Sequence, residues 1–104
     1  METKNIITEQ EIKDLALMLL YINSWKVVEH RGKKNKPTTY YSFNEGFATT
    51  NRDILEILEK EGFISIGKSL KSPITLYAEG QQKARELLQK NYGKDFEVTR
   101  IGGY

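Results

Sequence analysis

A chain of 104 residues and 12.0 kDa holds one domain built on one core. It has no cysteine, which excludes a disulfide scaffold, a thiolate metal site and a cysteine nucleophile. Sixteen Lys and Arg against fourteen Asp and Glu leave a formal charge of +2, too small to name a partner. The longest apolar run, Leu15 to Ile22, spans eight residues, against the roughly 18 that a membrane span needs. Met1, Glu2, Thr3 and Lys4 do not read as the start of a signal peptide, so a cytoplasmic location and no membrane contact are expected.

Thr8-Glu9-Gln10-Glu11 is a capping box, and a helix is predicted to open there. Ile12, Leu15, Ala16, Leu19 and Ile22 form one apolar stripe at helical spacing. Leu17, Leu20, Tyr21 and Trp25 add a second. Two arcs of one helix need cover, from the domain itself or from a second copy of the chain.

Residues 26–37 then change character: Lys26, Arg31, Lys33, Lys34 and Lys36 stand against Glu29 alone. With Gly32, Asn35 and Pro37 as helix breakers, the segment reads as a basic loop, at the tip of a hairpin between Val27-Val28 and the β-favouring run Thr38 to Phe43. It is also the plain solvated loop that an isolated charge run most often forms. Tyr40, Tyr41, Phe43 and Phe47 read as the aromatic layer of a small core, with a base-stacking platform as the alternative.

Thr49, Thr50 and Asn51 are candidate caps for a second helix that runs to about Lys60. Ile54, Leu55, Ile57 and Leu58 face inward, and Gly62 supplies the stop. Phe63 to Ile66 and Ile74 to Tyr77 are short strands joined across residues 67–73. A last helix from about Glu79 to Tyr92 carries Ala84, Leu87 and Leu88 and stops at Gly93, leaving 94–104 as a tail or edge strand.

The phrase Asp53 to Ile64, in which a helix with paired leucine-type positions turns through Gly62 straight into a strand, resembles the end of a winged-helix recognition helix. Ile74-Thr75-Leu76-Tyr77-Ala78-Glu79-Gly80 is similar to the phrase with which MarR-like and PadR-like regulators leave the wing. Ser24-Trp25, closing the apolar run, is similar to the first helix of small bacterial winged-helix families of unassigned function. The resemblance covers residues 50 to 92 and, in outline, the first helix. It implies an α+β winged-helix domain over 1–104: helix, connecting segment, recognition-type helix, β-hairpin wing, C-terminal helix.

Two positions depart from that pattern. Tyr77 and Ala78 stand where the family places a capping Thr or Ser, and 37–46 is too rich in β-formers for a regular second helix, so a short or degenerate one is expected.

The resemblance implies a homodimeric DNA-binding transcriptional regulator, bacterial or from a mobile element. On residues 51–61, however, Arg52 and Lys60 face Asp53, Glu56, Glu59 and Glu61, an electrostatic cost against phosphates. Nucleic-acid contact is therefore assigned to two loops and one helix start: Arg31, Lys33, Lys34 and Lys36, then Thr50, Asn51 and Arg52, then Lys68 and Lys71. The expected dimer seam uses Leu17, Leu20, Tyr21, Trp25, Leu87 and Leu88. The alternative is a winged-helix protein-interaction module that holds a protein partner with its acidic helix or its apolar first helix.

Gly62 to Ser69 satisfies Gly-x-x-x-x-Gly-Lys-Ser letter for letter, yet a phosphate-binding loop needs a strand before it and a helix after it, so no nucleotide is expected. His30 is the single histidine, and no nucleophile sits beside a general base. Neither enzymatic activity, nor a metal, nor a cofactor is expected.

Overall fold

The computed structural model describes residues 6–31, 39–47, 51–67 and 73–102, with 28–31 and 39–43 described as backbone. The described chain is α+β, with three helices and a four-stranded antiparallel sheet. The elements follow as α1 (Glu9–Ile22), β1 (Trp25–Arg31), β2 (Thr39–Gly46), α2 (Arg52–Lys60), β3 (Ile64–Ser65), β4 (Ile74–Leu76) and α3 (Ala78–Tyr92).

Local chemistry sets the helix ends. The Thr8 hydroxyl accepts from the Glu11 amide at 3.1 Å while the Glu11 carboxylate accepts from the Thr8 amide at 3.0 Å, which closes the capping box at the start of α1. The backbone and side-chain hydrogen bonds from Thr8 hold the Glu11 carboxyl below the ordinary glutamate range. The Asn51 side chain caps α2 by accepting from the Ile54 amide at 3.1 Å. Gly62 and Gly93, at φ +84° and +66°, supply the left-handed backbone that ends α2 and α3. Tyr77 makes no side-chain cap for α3, as the residue type implies; its amide donates instead to the Phe63 carbonyl at 3.0 Å. That junction is tight: a Cβ on Gly80 would lie 2.1 Å from the same carbonyl oxygen, so only glycine lets α3 seat against the chain entering β3.

The sheet order is β1-β2-β4-β3. β1 and β2 form a hairpin from Trp25↔Glu45 to Arg31↔Thr39, and β2 meets β4 over Asn44↔Leu76 to Gly46↔Ile74. Residues 26–31, read from sequence as part of a basic loop, are thus strand; the hairpin reaches further back than the charge run suggested. The expected short second helix is corrected as well. Residues 39–46 are extended, because Thr, Tyr and Phe pack better on a pleated surface than in a helix.

Leu17, Leu58, Ile64 and Leu76 are the largest fully buried apolar side chains of the core, which draws on α1, α2, β3, β4 and α3. The expected dimer seam requires correction here. Leu17, Leu20, Tyr21, Leu87 and Leu88 are all buried within the single chain, none more than 7% exposed, so they offer no surface to a partner. Trp25 is half-buried against the Phe47 ring at 5.4 Å and against Gly102, where a Cβ would approach its Cδ1 to 2.1 Å. Intramolecular packing won because α2, α3 and β2 all pack on α1, leaving Leu15 and Leu19 outside.

Polar links tie these layers together. Lys13 is buried and paired with Glu61 at 2.6 Å, joining α1 to the end of α2, and its ammonium is held above the ordinary lysine value by that carboxylate. Asn44 donates to the buried Ser24 hydroxyl at 2.9 Å, fastening β2 to the turn after α1. The tail doubles back across α1: Arg85 bridges Asp95, Tyr21 donates to the Phe96 carbonyl at 3.0 Å and Val98 is buried. It reaches the outer edge of β1 at one parallel bridge, Lys26↔Ile101, rather than as a full strand.

Candidate nucleic-acid interface

The hairpin and the rest of the sheet part company along β2. Pairing with β4 stops at Asn44, whereas pairing with β1 continues to Thr39. Beyond Lys26 and Asn44 the hairpin is, among the described residues, paired only to itself, a two-stranded ribbon that continues five residues past the sheet on β2. At about 3.4 Å per residue this is an extension of roughly 17 Å, and the molecule measures 71 Å along its longest axis against 33 and 21 Å across.

Charge follows the same division. Residues 25–46 carry five Lys and Arg against two Glu, while the remainder of the chain carries eleven against twelve. The positive excess of the whole protein therefore belongs to the hairpin and its connection.

α2 presents the opposite character. Three of the four carboxylates on residues 51–61 are engaged within the chain: Glu56 accepts from Arg52 at 3.2 Å, Glu59 accepts from the Ile66 amide at 2.8 Å, and Glu61 holds Lys13. Arg52, a candidate phosphate contact, is thereby turned along its own helix, and the Asn51 side chain is occupied as a cap. Both residues stay exposed.

Topology separates the candidate residues into two groups. The connection that carries Lys33, Lys34 and Lys36 leaves Arg31 and returns at Thr39, whereas the one that carries Lys68 and Lys71 returns at Ile74, opposite Gly46. Thr39 and Gly46 lie at the two ends of β2, seven residues apart, or about 24 Å. Arg31 is placed at the end of the ribbon; Lys33, Lys34, Lys36, Thr50, Lys68 and Lys71 lie outside the described residues.

The phosphate-loop pattern meets an unsuitable frame, since α2 runs into Gly62 and β3 occupies two of its variable positions. Among the described residues no group of three His, Asp or Glu converges as a metal site, and no helix is long and apolar enough to cross a membrane.

Sequence reasoning missed the continuation of the ribbon past the sheet. Its signal was present: the β-favouring run Thr38 to Phe43 is longer than the three residues of β4 can cover.

Residues 8–94 match the family described as a domain of unknown function (DUF6429), and the chain belongs to that family. No curated protein and no solved structure matches the chain significantly.

Proposed function

We propose that this chain is a DNA-binding module of winged-helix type in which the β1–β2 ribbon, not α2, makes the leading contact. The order α1, α2, β3–β4 hairpin, α3 supports the winged-helix reading, with the ribbon standing where a second helix would be. The observation that carries the functional reading joins projection to sequence: the two strands that extend past the sheet are connected by residues 32–38, which hold Lys33, Lys34 and Lys36 with no acidic residue.

A two-stranded ribbon fits the major groove as a helix does, and its cations release counterions from the phosphates they neutralise. α2 suits this role poorly, because its carboxylates would approach the same phosphates and its arginine is already paired. Steering by the ribbon also keeps the body at a distance where its slight negative excess is screened, since the Debye length is about 8 Å at physiological salt.

The test is a titration of the full chain against mixed-sequence duplex at two salt concentrations. Binding that weakens as salt rises supports the reading. No binding at either concentration, together with no sequence enriched from a random duplex pool, overturns it in favour of a protein partner.

A further inference from the structure

Four apolar residues of α1 share one outward strip: Ile12, Leu15, Leu19 and Ile22. Leu15 and Leu19 are 41% and 50% exposed, while Ile12 and Ile22 rest partly against the core. A notch of about 280 Å³ opens beside the strip, where Ile7, Leu15, Met18 and Tyr92 meet the polar side chains of Glu11, Asp14 and Asn91, so the surface next to the strip is mixed and reaches the end of α3. Ile7 and Tyr92 are themselves 50% and 63% exposed.

We infer that this strip is the seam of a homodimer in which α1 packs antiparallel against α1 of a second copy. The spacing of three, four and three residues is that of a coiled-coil seam, with nearly three turns of the helix between its first and last members. It is also symmetric about its own midpoint. A two-fold axis there sets Ile12 against Ile22 of the partner and Leu15 against Leu19 of the partner, so one surface meets itself without a gap, as an isologous interface requires.

Charge selects the antiparallel arrangement over the parallel one. The first half of α1 bears Glu9, Glu11 and Asp14, and its last turn has no cation of its own. That last turn is where Arg100 of the tail donates to the Ile22 carbonyl at 3.1 Å. Antiparallel packing brings the acidic half of one helix beside the guanidinium at the end of the other and opposes the two helix dipoles. Parallel packing stacks acid on acid. The seam is independent of nucleic acid: it draws on α1, and the ribbon takes no part in it.

The cysteine-free sequence makes the test direct. Sedimentation of the full chain from low to tens of micromolar concentration should show a monomer–dimer equilibrium. Leu19→Lys should weaken it at least about tenfold in Kd by placing an ammonium in the seam, with thermal stability held because Leu19 is outside the core. Leu15→Cys and Leu19→Cys proteins are then mixed and oxidised. Disulfides between the two different variants should exceed the share that random pairing of the mixture gives. The inference is overturned by a monomer at every concentration, by a dimer indifferent to Leu19→Lys, or by a preference for disulfides between identical variants, the mark of parallel packing.

Discussion

The body of this molecule is a packed core of several elements, whereas its ribbon is two strands that, past the sheet, pair with each other. In the body, Leu17 from α1, Leu58 from α2, Ile64 from β3 and Leu76 from β4 meet with almost no exposed surface, and the helix ends are fixed by Thr8, Asn51, Gly62 and Gly93. Along the ribbon, from Val28 to Arg31 and from Thr39 to Phe43, the described structure is the backbone ladder between two strands. The body holds the buried core, and the hairpin with its connection holds the positive excess of the sequence. Substitutions in one should leave the property of the other nearly untouched.

The largest effect expected is at the centre of the body. Leu58 is 1% exposed, and Leu58→Ala should cost about 2–5 kcal/mol through lost transfer energy and the cavity left behind. Chemical denaturation that shows less than about 1 kcal/mol would mean that α2 does not pack as described. A smaller loss, about 1–3 kcal/mol by the usual cost of overpacking, is expected for Gly80→Ala, since the added methyl must displace the Phe63 backbone. An unchanged melting curve would show that the junction of α3 with β3 is looser than the structure has it.

Much of the body was legible in the sequence because its signals are local. The capping box, the two stop glycines and the phrase from Asp53 to Ile64 each state their own conformation within a few residues. The arc of α1 that faces the core was not legible: both of its stripes are apolar, and hydrophobicity alone cannot choose between them when α2 and α3 are what decide. Lys13 shows the same limit, since its burial depends on a carboxylate 48 residues away. The ribbon was half legible. Val27-Val28 and the β-favouring run Thr38 to Phe43 pointed to a hairpin, but the charge run hid how far the first strand continues beyond Val28, because Lys and Arg tolerate either conformation. The register of β2 with β4, which sets Ile74 opposite Gly46, is a pairing that no local pattern announces.

A milder perturbation separates the tail from the body. Hydrogen bonding and attraction from Arg85 hold the Asp95 carboxyl below the ordinary aspartate range. A depressed pKa contributes stability that is complete above the ordinary carboxylate value and is lost as pH falls through the depressed one. Acidification should thus loosen the tail at Asp95 while also weakening the α1 cap at Glu11. Trp25, the single tryptophan, packs against Gly102 of the tail and reports the change by its fluorescence. Asp95→Asn should give at neutral pH part of the signal that the wild type shows only in acid. A fluorescence that stays flat until helix content collapses, in both proteins, would place the anchor elsewhere.

The smallest effect on stability and the largest on function are both expected from the ribbon's connection. Replacing Lys33, Lys34 and Lys36 together with Ala should change unfolding free energy by no more than about 0.5 kcal/mol. The decisive measurement compares that variant with a charge-matched one, Lys83, Lys90 and Lys94 to Ala, in duplex binding across a salt series. If the ribbon leads the contact, the first variant lowers the magnitude of the log-log salt slope by up to about 2.7, at about 0.9 for each phosphate that is no longer neutralised, and the second leaves it unchanged. Equal slopes for both variants, or a reduction confined to the second, would contradict the division of labour between ribbon and body.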